Sequence, residues 1–361
     1  ISRIKPFLVN TENKEKRGEG VYIFDFETFN KNDKDGISKA HPYSVGIIEY
    51  NFVKVVLDKN PDYLEKGTLV EDVDLKKLKR LCNIFISDQG CDYFKPNEKD
   101  NKLQNPSDCV RKMFQFIGTK PFQQILLIGH NAAKFDSYIP LFCNIISKNI
   151  LKTSRGILSV SFTNPYASPA TLRAINLGKK TGHKDDKQSI TIHCSLQHIQ
   201  GSLANFAKMM KVPENIRKTS MVHDMKESDY LNRKDEWYEY LQFDIISLTA
   251  SIIKYNSVME KLAGLSMFDA LTSSSFTLKS WFKAYNNFDK QMKDFIISQD
   301  TPTNPHFDQL AEIVKKHIKY FQHNTTRDIF QKYLIESPKV KEDILKEMKK
   351  ELQIHSHTDP Y

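Results

Sequence analysis

The sequence predicts an α/β chain: a mixed sheet flanked by helices, with a helical extension at its C-terminal end. Three observations carry this. Two short apolar runs, 21–29 and 124–128, have the Val, Ile and aromatic content of strands covered on both faces. Each run gives way to turn residues, after which further strand or helix patterns resume. A segment at 235–262, apolar along one stripe and closed by Gly264, predicts one long helix.

Composition bounds the rest. Of 361 residues, 40% are hydrophobic and 27% charged, enough for one large domain or two ordinary ones around a real core. No apolar run approaches the length that spans a bilayer, so no membrane role is expected. No signal peptide is visible, and the chain begins at Ile1, as a processed chain or a fragment would. Five cysteines, an odd number with no Cys-x-x-Cys pair, argue for a reducing, intracellular setting and against a disulfide framework or zinc ribbon. Mitochondrion, nucleus and cytoplasm stay open. A cage of Cys82, Cys91, Cys109 and His130 is disfavoured by its irregular spacing. The net charge of +9 comes mainly from Lys. It suits a polyanionic partner bound through its phosphates, although solubility alone also explains such an excess.

Taken in order, residues 1–20 are polar and serve as a lead-in to the first strand. In 21–29, side chains alternate with a period of two, so Asp25 and Glu27 share one face while Phe24 and Phe26 take the other. The stretch 43–56 reads as two strands or a long hairpin arm, and 74–85 as a helix. Ser107 can cap a helix through Val110, Met113, Phe114 and Ile117. The run 124–128 is a strand, and 138–146 continues as a helix. Strands are expected at 157–163, 170–177 and 189–193, the last two joined by a charged hairpin tip at 178–187. Ser202 caps a helix that stops before Pro213, and 286–361 carries amphipathic helices, one with Ser337 as cap and Pro338 at its first position. Lys315, Lys316 and Lys319 on one of these read as a solvated face.

Two like charges on a strand meant for burial need a cation or a proton to compensate them. A divalent ion does so, although an edge strand with its charged face in water fits the pair taken alone. Asn131 and Asp136 follow the second strand, at the end where open α/β sheets place ligands. Alone, they also fit a helix cap and a first-turn acid. Tyr240 and Asp244 lie one turn apart on the long helix, and Asp244 sits among Phe243, Ile245 and Ile246, so burial is expected and with it a compensating partner.

These three pieces, Asp25-x-Glu27, Asn131 with Phe135-Asp136, and Tyr240-x-x-x-Asp244, in this order resemble the 3′→5′ exonuclease domain of family B DNA polymerases. That domain has an RNase H-like fold with four acids and a Tyr. Related exonucleases place a His where this chain has Tyr240. Cys194-Ser195-Leu196 followed by Gly201-Ser202-Leu203, then Lys218-Thr219-Ser220-Met221, and Ser273 to Lys279 resemble the protein-primed subgroup, with Cys194 departing from that subgroup's Asp. The resemblance covers about 18–283. It implies an exonuclease domain at 21–285, followed at 286–361 by an extension that could begin a polymerase palm. No palm motif is present, so polymerisation by this chain alone is not expected.

The resemblance implies two divalent ions, Mg2+ or Mn2+, held by Asp25, Glu27, Asp136 and Asp244. It implies a water oriented by Tyr240 and phosphate charge stabilised by Lys218. Thr28, Asn131, Phe135, Ser195 and Leu196 would hold a single-stranded DNA 3′ end. A terminal priming protein and a polymerase palm on another chain are the further partners it implies. A non-catalytic DNA-binding or scaffolding module, or a free-standing RNA exonuclease, are the rival readings.

Overall fold

A computed structural model of the chain describes residues 18–32, 36, 38–59, 75–87, 96–97, 100–104, 108–143, 145–177, 187–217, 219, 226, 228–281 and 283. The expectations for 1–17, Cys91, Ser107, 178–186, Lys218 and 286–361 lie outside those residues. The chain divides into two compact units, Thr11–Phe276 and a second made of Ile1–Asn10 with Thr277–Tyr361. In the second, the described residues 277–281 are helical.

The strands are β1 (Val21–Asn32), β2 (Ser38–Glu49), β3 (Asn83–Ile86), β4 (Pro96–Asn97), β5 (Asp100–Gln104), β6 (Gln124–Gly129), β7 (Ser147–Thr153), β8 (Gly156–Thr163) and β9 (Ser189–Cys194). β4 and β5 form a small pair of their own, and the other seven make one mixed sheet in the order β3-β2-β1-β6-β9-β8-β7. β1, β6 and β9 run parallel at its centre, and β2, β3, β8 and β7 pair antiparallel outward from them. The parallel centre needs cover on both faces, and the alternation within β1 supplies two apolar surfaces. Val21 and Ile23 belong to one core, while Tyr22, Phe24 and Phe26 belong to the other.

The helices are α1 (Tyr50–Asp58), α2 (Leu75–Leu81), α3 (Asp108–Ile117), α4 (Ile139–Phe142), α5 (Pro169–Ile175), α6 (Leu203–Met209), α7 (Asp229–Asn232) and α8 (Lys234–Ala263). α1, α2, α6 and α8 supply the first core, with Val53, Leu57, Leu78, Phe206, Leu241 and Ile245 buried there. α3 fills the second with Val110, Met113, Phe114 and Ile117. Cys82 packs against the first core and Cys109 lies in the second, so the sheet separates two members of the imagined cysteine cage. α8 ends where Gly264 adopts φ 64°, a left-handed stop that suits glycine. No described helix is long and apolar enough to cross a membrane.

Four local expectations need correction. Residues 50–58 are helix rather than strand, because Tyr50, Val53, Val56 and Leu57 recur at helical spacing and all four are buried. The segment 74–85 divides into α2 and β3. The helix expected across 138–146 is a 3-10 turn, Asp136–Tyr138, and one turn of α4, after which the chain leaves as β7. Where a strand was expected at 170–177, α5 forms over Pro169–Ile175: the Ser168 side chain accepts from Thr171 N–H, and Pro169 opens the first turn. The first strand of the expected hairpin is therefore a helix, and its tip lies outside the described residues.

Candidate metal centre

β1 carries Asp25 and Glu27 toward the face covered by α8. Their antiparallel partners on β2 are Gly46 and Ser44. Gly46 admits the helix: a Cβ there would stand 3.0 Å from Leu241 Cγ and 3.2 Å from Ile245 Cδ1, closer than side chains normally approach. Next to Ile245, Asp244 is 3% exposed and is brought to the two strand acids. Carboxylate oxygens of Asp25, Glu27 and Asp244 all lie within 4.8 Å of one another. Three hard oxygen donors on a strand and a long helix fit a divalent cation such as Mg2+ or Mn2+. Without one, three like charges repel.

Asp136, in the 3-10 turn after β6, reaches the backbone of β1. It is 2% exposed, and the Phe26 N–H, which lies between the two strand acids, donates to its Oδ1 at 3.4 Å. Burial pushes its carboxyl up to about 7, with the Phe26 N–H and its own backbone N–H opposing that shift. Asp136 stands outside the three-acid cluster.

Tyr240, one turn before Asp244, is buried in an aromatic group with Phe29, Tyr43 and Trp237. Tyr43 is the residue that sequence reasoning missed. Pairing of β1 with β2 shifts register between Glu27 and Thr28: Glu27 faces Ser44 while Thr28 faces Pro42, so Tyr43 is the extra residue of a bulge. Its ring stacks on Phe29 at 6.1 Å and meets Trp237 edge-on at 5.1 Å. Burial first, then the Glu27 carboxylate, pushes its phenol far above the ordinary range, with Arg233 opposing and Tyr240 and Asp25 adding to it. The signal in the sequence was slight: an aromatic residue whose place in the β2 alternation a bulge had shifted.

The remaining candidates sort by exposure. Asn131 follows β6 with φ 65°, left-handed and exposed, a conformation that Asn tolerates better than most residues. Phe135 is 38% exposed, and Thr28 is partly exposed just past the register shift. Ser195, by contrast, is fully buried. Its hydroxyl donates to the Gly129 carbonyl at 3.4 Å and lies 3.0 Å from His130 Nδ1. His130 Nε2 is 3.0 Å from the Gly201 carbonyl oxygen, and its ring lies along Phe206. Leu196 is partly buried against the second core.

No family model matches the chain, and no curated protein matches it. Among solved structures it is similar to Phi29 DNA polymerase. To the orthorhombic crystal form the TM-score is 0.42 at 14% identity, covering 76% of this chain and 35% of that one. To the complex with single-stranded DNA the TM-score is 0.40 at 14% identity, covering 77% and 35%. To the post-translocation binary complex with primer-template DNA it is 0.42 at 14% identity, covering 81% and 38%. The chain thus spans 35% to 38% of the length of these polymerases.

Proposed function

We propose that the chain is a metal-dependent 3′→5′ DNA exonuclease, the proofreading part of a protein-primed family B DNA polymerase whose palm lies outside it. The observation that carries this reading is the convergence of Asp25, Glu27 and Asp244 within 4.8 Å, from a strand and a helix far apart in sequence. The motif order in the sequence supports it.

Asp25, Glu27 and Asp244 would hold divalent ions, with Asp136 supporting the second. Such ions neutralise charge at the scissile phosphate and acidify the attacking water. The protein's own residues do the rest. Tyr240 orients the water, its ring fixed by Phe29, Tyr43 and Trp237. Asp136 steadies β1 between the two acids through the Phe26 N–H. Lys218 stabilises phosphate charge as it develops. Phe135 stacks on a terminal base, while Thr28 and Asn131 contact sugar and phosphate. Ser195 acts at one remove, by holding His130, while Leu196 anchors the same turn by packing against the second core. The exonuclease domain is 21–285, and 286–361 begins the connection toward a polymerase region, with a terminal priming protein as further partner.

One observation favours a second reading, a DNA-binding scaffold without catalysis: Asp136 stands outside the acid cluster. The test is release of mononucleotides from uniformly labelled single-stranded DNA with Mg2+ or Mn2+, beside the matched RNA. Release from DNA, abolished by EDTA, Asp25→Ala or Asp244→Ala, is the expected result. Tight binding with no release would favour the scaffold, and faster release from RNA would favour an RNA exonuclease.

A further inference from the structure

We propose that the β7–β8 hairpin is a second contact for single-stranded DNA, gripping the strand's phosphates as it leads away from the acids; the inference rests on the exonuclease reading for where the 3′ end lies. No Asp or Glu occurs between Asp136 and Asp185, whereas 44 acids in 361 residues average about one in eight. This acid-free stretch includes the two strands at one edge of the sheet, β8 and then β7.

The hairpin turn emerges at the end of the sheet that carries the loop between Asn131 and Asp136. β8 runs antiparallel to β9, with Thr163 opposite Ser189 and Ser159 opposite His193. Gly156, at the start of β8, therefore lies at the end of the sheet where β1, β6 and β9 finish. There the Ile157 N–H donates to the Ala133 carbonyl at 2.7 Å, which seats the turn against the loop carrying Asn131 and Phe135. Gly156 has φ +106°, and a Cβ on it would fall 2.2 Å from the Ala133 carbonyl oxygen. Only glycine permits that approach.

β7 is an edge strand whose side chains are exposed from Lys148 to Thr153. Lys148 and Lys152 on it, Arg155 in the turn and Lys134 on the adjoining loop are all exposed. None of these four side chains makes an ion pair with a described residue. A merely solvated face usually mixes both signs. Here, among the described residues, the cations stand without a paired acid, next to Phe135 at 38% exposure and to Ile150 and Leu151 at 48% and 47%. A basic track with apolar surface for bases is the chemistry that holds a single strand without reading its sequence.

The test is the salt dependence of binding of a fluorescent oligodeoxynucleotide, read by anisotropy in EDTA so that nothing is cleaved. For single strands, log K falls against log salt with a slope of about −0.7 per phosphate contact. The combined variant Lys148→Gln, Lys152→Gln, Arg155→Gln should therefore flatten the slope by about 2. Its control, Lys76→Gln, Arg80→Gln, Lys261→Gln, removes the same charge elsewhere and should leave the slope near native, both variants keeping native circular dichroism. An unchanged slope in the hairpin variant, or equal changes in both, would overturn the proposal. Because the readout is binding, a flattened slope in a chain that releases no nucleotides would sink the exonuclease reading alone. A native slope in an active chain would sink the hairpin alone.

Discussion

Replacing Asp244 by Asn should stabilise the metal-free protein and destabilise the metal-loaded one. Oxygens of the three carboxylates lie within 4.8 Å. At an effective dielectric constant of about 20, each such pair of unit charges repels by about 3 kcal/mol before screening. Asp25 and Glu27 are partly exposed, so solvent reduces the relief from removing Asp244 to about 1–2 kcal/mol. In EDTA this should raise the melting temperature of Asp244→Asn by roughly 2–6 °C. With Mn2+ at a hundredfold above its dissociation constant the native chain gains about 2.7 kcal/mol. The variant, missing one ligand and one charge, should gain little. Thermal melts in EDTA and across a Mn2+ titration read both effects. If Asp244→Asn melts lower than native in EDTA, or if Mn2+ raises both chains equally, the three acids are not a metal site held together against repulsion.

Three other outcomes follow from particular contacts. Gly46→Ala should cost about 1–3 kcal/mol of stability, because its Cβ would press Leu241 and Ile245. By moving Asp244 away from the strand acids it should also lower nuclease turnover by on the order of 100-fold, measured in saturating DNA. Tyr43→Phe keeps the stack on Phe29 and should melt within about 1 kcal/mol of native; turnover should fall by on the order of tenfold with KM unchanged. His193 is held down to about 4 by burial and then by His198. A histidine so depressed contributes stability that is complete above its ordinary pKa of 6.5 and is lost as pH falls from there toward 4. At about 1.4 kcal/mol per unit, His193→Gln should remove up to about 3 kcal/mol of the acid-side slope in urea titrations between pH 4 and 6.5.

The parts of the fold that period and length determine strongly were legible in the sequence. β1 and β6 are apolar runs bounded by turns, β9 alternates Ile with polar residues, and α8 is long enough for its stripe to stand out. Asp244 was expected to be buried among Phe243, Ile245 and Ile246, and it is 3% exposed. Shorter elements misled where composition and spacing disagree. Val53, Val55 and Val56 favour a strand by type, yet the burial of Val53, Val56 and Leu57 beside the sheet makes a helix. β7 went unseen because an exposed edge strand need not alternate. At the site, Asp25, Glu27 and Asp244 were found from sequence and do converge. Tyr43 was not found, because a bulge shifts its place in the alternation. The burial of Ser195 depends on Gly129 and His130, partners that no local pattern reveals.

The most direct test of the central claim is the polarity of hydrolysis on single-stranded DNA in Mg2+ or Mn2+. One strand carries a 5′ label and a free 3′ end, and its twin has the 3′ end blocked by an inverted nucleotide. The first strand should give a ladder that shortens from its 3′ end, the second should stay intact, and the ladder should disappear in Asp25→Ala. Shortening from the 5′ end, internal cleavage of the blocked strand, or a ladder that survives Asp25→Ala would contradict it.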